Sequence, residues 1–133
     1  EEYPEFVCSS FNDVFGFFIS GPNPAGGDYV GQNIARIPDP ADLSGETFLN
    51  FPVSINSINS GVVGTQGQDV SFCEAPLGSL GFSQYYNETA VDDYPVYDGY
   101  LNSFIAEADV VPCQEYVIKI AIGDGNDIVT FLF

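Results

Sequence analysis

Histidine, methionine and tryptophan are absent from the 133 residues. Without histidine the chain lacks the commonest general base and the commonest zinc ligand. Basic residues are nearly missing as well. Arg36 and Lys119 stand against 19 acidic residues, for a net charge of −17. A surface of that sign repels nucleic-acid phosphates and anionic lipid, so nucleic acid and membrane insertion are excluded as destinations. It suits divalent cations, high salt or a cationic partner, and two readings stay open: adaptation to a saline medium, or a specific cation role. The acids are spread along the chain, which excludes an acidic tail. Cysteine is sparse. Cys8, Cys73 and Cys113 are far apart with no C-x-x-C spacing, so zinc and thioredoxin-like readings fail. In a secreted protein they allow one disulfide and one leftover thiol. No apolar run approaches the roughly 20 residues of a membrane helix, and no secretory signal is visible. The sequence opens on Glu1 rather than methionine, as a processed or excised chain would.

What is present is apolar and aromatic. The hydrophobic share is 45% and the aromatic share 15%, all of it Phe and Tyr. That is too much for a disordered chain. The length is that of one domain able to bury a core without a metal or disulfide staple. Fourteen glycines and nine prolines predict many turns and few long helices.

Val14 to Ile19 is the most apolar run, and its length predicts a strand buried on both faces. Gly21 to Gly27 is a dense turn cluster. Tyr29 to Ile37 has moderate strand character, and Thr47 to Ile58 alternates apolar and polar residues in its second half. Asn59 to Gln68 reads as a hairpin or surface loop, and Val70 to Leu80 as short apolar pieces broken by Pro76 and Gly78. Asn87-Glu88-Thr89 is a glycosylation sequon, silent in most bacteria and a loop marker in a eukaryotic secretory protein. Val91 to Asp98 is an acidic loop. Tyr100 to Ala108 is read as a strand from context. Glu115 to Ile122 alternates most clearly, with Tyr116, Ile118, Ile120 and Ile122 on one face. Gly123 to Asp127 has hairpin chemistry, and Ile128 to Phe133 is a last strand. About eight short strands with frequent turn signals predict an all-β sandwich of jelly-roll-like form with long loops, one domain over 1–133.

Three blocks carry a resemblance that spans nearly the whole chain. The first is EEYPEFVCSSFNDVFGFFISGPNP with Asn33-Ile34-Ala35. The second is Pro52-Val53-Ser54-Ile55-Asn56 with Ile58-Asn59. The third runs from Tyr97-Asp98-Gly99-Tyr100 through Ala106-Glu107-Ala108, Val111-Pro112-Cys113-Gln114 and Tyr116 to Lys119 and Ala121-Ile122. In order and spacing these resemble the choice-of-anchor L domain of bacterial surface and secreted proteins. The resemblance implies a secreted or cell-surface, mostly β module of a larger protein. The turn at Gly123 to Asp127 is shorter than the family's, and flanking strand sequence on both sides is missing. The chain is therefore expected to be an incomplete part of a larger domain, with a strand edge that another segment or copy completes.

The expected site residues follow. Glu1, Glu2, Asp13, Asp124 and Asp127 are candidate calcium ligands, since calcium takes six to eight oxygens. The competing role for the Asp-rich turn is local turn bonding. For Asn12-Asp13 it is capping of free amides at the strand end. Lys119 is expected in an ion pair or as a charged guard on an edge strand. Tyr85, Tyr86 and Tyr97, with Tyr94 and Tyr100, are candidate glycan or protein contacts, or packing residues. Cys8 and Cys113 flank the two strongest strands, inside the two blocks most like the family, and are expected to pair, leaving Cys73 free. No nucleophile motif is present and no motif places two acids together. The expected function is a non-enzymatic module of a surface adhesin or structural protein. Its partners are other copies, neighbouring domains, or a surface glycan or protein. The alternatives are a filament subunit built by strand sharing, and a carbohydrate-binding domain.

Overall fold

The computed structural model describes residues 4–89, 98–125 and 130–132. Its centre is β1 (Val14–Pro22), held on both edges. One edge carries β8 (Val117–Gly123), antiparallel, with Phe15 opposite Ile122, Phe17 opposite Ile120 and Ile19 opposite Ile118. The other edge is shared. β2 (Asp28–Asn33) covers the Phe18 to Pro22 end and β5 (Val53–Ser54) covers Val14 and Phe15. β9 (Thr130–Leu132) adds to the far side of β8, opposite Ala121 to Gly123. Two small ribbons flank this sheet: β3 (Ile37–Pro38) with β4 (Phe48–Leu49), and β6 (Tyr86–Glu88) with β7 (Gly99–Leu101). Short 3-10 turns occupy Pro4–Phe6, Val70–Cys73 and Ser83–Tyr85. The fold is all-β, and no described helix is long and apolar enough to cross a membrane.

The β1–β2 hairpin turns through Asn23 to Gly27, where Asn23 N–H donates to Gly27 O and Gly26 N–H to Asn23 O. A bulge between Ile19 and Gly21 bends β1. Gly21 has φ +141°, and a side chain there would strike the Tyr116 ring. That is a combination only glycine tolerates. The expected long strand over Tyr29 to Ile37 stops at Asn33, whose Oδ1 accepts from Phe17 N–H and Ala35 N–H. The expected Thr47 to Ile58 strand survives only as β4 and β5. Beyond Ser54 the chain turns, with Ser57 and Ile58 amides both donating to Ser54 O. Of the Tyr100 to Ala108 strand only β7 remains. The β8–β9 pairing matches the expected hairpin, although residues 126–129 lie outside the described set.

The core lies on one face of the β1 sheet. One cluster holds Ala35, Ile37, Val53, Ile58 and Phe82, and a second holds Ile19, Tyr29 and Ile34. Phe17 packs against both. Antiparallel partners point to the same face, so Ile118, Ile120 and Ile122 lie on this same inner face. Yet they are 48%, 43% and 48% exposed. Val14 and Phe15 are exposed too. The expectation that Val14 to Ile19 is buried on both faces is therefore corrected. β1 has neighbours on both edges, but the β8 side of its core face is bare.

Candidate functional site

The N-terminal segment is anchored by a buried polar hub. Asn56 is 1% exposed. Its Oδ1 accepts from Cys8 N–H at 2.8 Å and its Nδ2 donates to Ser9 O at 2.8 Å. Its backbone N–H donates to Asn12 Oδ1, and its carbonyl accepts from Ser79 N–H. Asn59, equally buried, donates from Nδ2 to Ile55 O. A buried amide must find such partners or cost stability. Asn12 thus caps an amide of the neighbouring segment rather than one of its own strand.

This hub sets the disulfide, and it is not the expected one. Cys8 pairs with Cys73, with Cα atoms 5.1 Å apart. The Cys8–Cys113 pairing is overturned, and Cys113 is an exposed free thiol. The reason is topological. Cys8 precedes the Val14 end of β1. Cys113 precedes Val117, which lies opposite Ser20 near the other end. An antiparallel pair puts the approaches to its two strands at opposite ends, and the nine residues of β1 span roughly 30 Å. The Val70–Cys73 turn, capped by Asp69 through Ser71 N–H, instead brings Cys73 Sγ within 3.7 Å of Asn56 O, beside the residue that holds Cys8.

Of the proposed cation ligands, Asp13 and Asp124 come together, at the Val14–Gly123 end of the β1–β8 pair. Asp124 is pushed above the ordinary aspartate value of 3.8 by lost hydration, then by the charge of Asp13 and a hydrogen bond with it. Asp13 also accepts from Ile55 N–H through its main-chain oxygen. Glu1, Glu2 and Asp127 lie outside the described residues. Among the described residues no group of three or more His, Cys, Asp or Glu is placed to hold a metal. Lys119 is exposed in β8 opposite Phe18.

Tyr85 and Tyr86 are tied into the fold. Tyr85 packs edge-on against Phe104, with centroids 5.2 Å apart, and donates to Pro38 O. Tyr86 packs on the first core cluster and donates to Asp98 O. Tyr100 is exposed in β7, and Tyr94 and Tyr97 lie outside the described residues. In the sequon, Asn87 Nδ2 donates to Asn102 Oδ1.

A cavity of about 350 Å³ was not foreseen. It opens between β2, the β4 approach and the stretch before β8, with Tyr29, Arg36, Glu46, Phe48, Glu107 and Asp109 in its wall. The Arg36 guanidinium lies 4.5 Å from the centroid of the Phe48 ring, and its Nε is buried without a hydrogen-bond partner. The available signal was a lone arginine in a chain of net charge −17.

The antiparallel sheet carries the three resembling blocks together: FNDVFGFFISGP as β1 with its approach, PVSIN as β5 with the Asn56 hub, and the Cys113 to Ile122 block leading into β8. The family model of the choice-of-anchor L domain matches residues 1–130. The chain belongs to the choice-of-anchor L domain family. No curated protein and no solved structure matches it. As a choice-of-anchor L domain it is a module of the bacterial surface or secreted class. The Asn56 hub and the Cys8–Cys73 bridge fall inside the matched span.

Proposed function

We propose that this choice-of-anchor L domain is a non-enzymatic module of an extracellular bacterial surface protein. It works by docking through the bare inner face of β8. The observation that carries the reading is the row Ile118, Ile120 and Ile122, beside Phe15, exposed on the face that elsewhere forms the core. Contiguous exposed apolar surface marks an interaction site. Charge supports the same reading. Neither β1 nor β8 contains a carboxylate; Lys119, opposite Phe18, lies on the other face of the sheet. These two strands carry no acid of their own, although Asp13 and Asp124 stand at their Val14–Gly123 end, so a second copy of the domain meets less repulsion along them than at the acidic loops. A second copy is the occupant we assign.

The test is light scattering on residues 1–133 across concentration and salt. Association that Ile120→Asp abolishes, with an unchanged melting profile, is the expected result. A cooperative monomer at all concentrations and salts overturns it. Assembly into filaments by strand sharing is the second reading. It is favoured by the far edge of β8, where, among the described residues, β9 pairs only with Ala121 to Gly123. An open edge of this kind templates another strand. Electron microscopy separates closed dimers from open fibres.

A further inference from the structure

We propose that the cavity beside Arg36 is a binding site for a small zwitterion carrying both a carboxylate and an ammonium group, with surplus positive charge preferred. This goes beyond the docking role and uses a different part of the fold. The cavity, about 350 Å³, sits at the lower end of the size range of ligand pockets. That is room for an amino acid or a short peptide.

Its wall keeps opposite charges apart. Arg36 and Tyr29 are at least half-buried and form the inner part. Glu46, Glu107 and Asp109 are exposed and form the outer part. The Tyr29 hydroxyl is already used, donating to Asp109 O. The face of Phe48 is already used by the guanidinium. The inner donor left over is Arg36, whose Nε is satisfied by none of the three carboxylates that line the same space. A buried donor without an acceptor is costly, and guanidinium is built to grip a carboxylate through paired N–H groups.

The arrangement selects its ligand by elimination. A simple anion meets three carboxylates on the way in. A simple cation meets Arg36 at the end. A neutral sugar finds no free aromatic face to lie on. A compound with its carboxylate inward on Arg36 and its ammonium outward on Glu107, Glu46 or Asp109 closes both gaps at once. With three acids to one base, lysine or arginine binds more tightly than glycine.

The experiment is NMR titration and calorimetry of the whole chain with L-lysine, glycine, acetate, n-butylamine and glucose. The expected result is saturable L-lysine binding, weaker glycine binding, and acetate and butylamine each at least roughly tenfold weaker than lysine. Arg36→Gln lowers lysine affinity roughly ten- to a hundredfold, the effect of losing a charge-assisted pair. Because Arg36 packs on Phe48 and that variant risks the fold, Glu107→Gln at the exposed rim serves as a second probe. Its loss is a few-fold, screened by salt. Ile120→Asp leaves lysine binding unchanged, so failure here and failure of the docking reading are separable. Absence of saturable lysine binding overturns the proposal. So does butylamine binding as tightly as lysine, which makes the site a plain cation site, or glucose binding in place of the zwitterions.

Discussion

Asn56 shows how much one side chain does in this domain. It joins the Cys8–Ser9 stretch to the β5 turn through a buried amide whose oxygen and nitrogen are both used. Asn56→Ala orphans the Cys8 amide and the Ser9 carbonyl, each costing about 1–3 kcal/mol. Urea denaturation is expected to show a loss of about 2–4 kcal/mol, and a loss under about 1 kcal/mol refutes the hub. Asp124 works in the opposite sense. Its folded carboxyl titrates above the ordinary value of 3.8, so the native state binds a proton that the unfolded chain has released. Stability therefore falls as pH rises through that window. Asp124→Asn is expected to flatten this slope and raise the melting temperature at neutral pH. Asp42 and Asp69 are held low, by Ser44 and Thr47 and by Ser71 respectively. Their contribution is complete above the ordinary carboxylate range and fades as the solution is acidified. The proposed calcium role is tested at the Asp13–Asp124 pair. Melts at fixed ionic strength are expected to show calcium stabilising more than magnesium, with the difference lost in Asp124→Asn. Equal shifts for the two ions refute a specific cation role.

The elements differ sharply in what their apolar residues contribute. Ile37 in β3 is 0% exposed, and Ile37→Ala is expected to cost about 3–4 kcal/mol by burial lost and cavity gained. Ile118 in β8 is half exposed, and Ile118→Ala is expected to cost less than about 1 kcal/mol in the monomer. Comparable losses at the two sites refute the bare-face description. The same contrast explains what was legible in the sequence. Period-two alternation from Tyr116 to Ile122 located β8 correctly, because backbone pleating alone sets which residues share a face. It did not say whether anything covers that face, since cover comes from distant segments. Tyr29 to Ile37 and Thr47 to Ile58 read as strands because their side chains are apolar. Asn33 and Ser54 end those strands by accepting backbone amides, and such a local bond leaves little trace in an apolar count. For the candidate sites, the closeness of Asp13 and Asp124 was readable from two acidic strand ends. The Arg36 cavity was not, because its wall comes from three separate stretches.

At the scale of the molecule, the Cys8–Cys73 bridge closes a span of 65 residues and stabilises by about 4 kcal/mol on the chain-entropy argument. Cys73→Ser is expected to lose most of that in chemical denaturation, and Cys113→Ser less than about 0.5 kcal/mol. Non-reducing peptide mapping that finds Cys113 in the bridge refutes the assignment. The coat of carboxylates surrounds a sheet, β1 with β8, that has none. These two surfaces answer differently to the medium. In dilute water the coats of two molecules feel each other across tens of ångströms, and at about 1 M salt across roughly 3 Å. Contact between bare strands is hardly screened at all. On the docking reading proposed above, the same chain is a self-avoiding particle in fresh water and an adhesive one in brine, and ionic strength decides which.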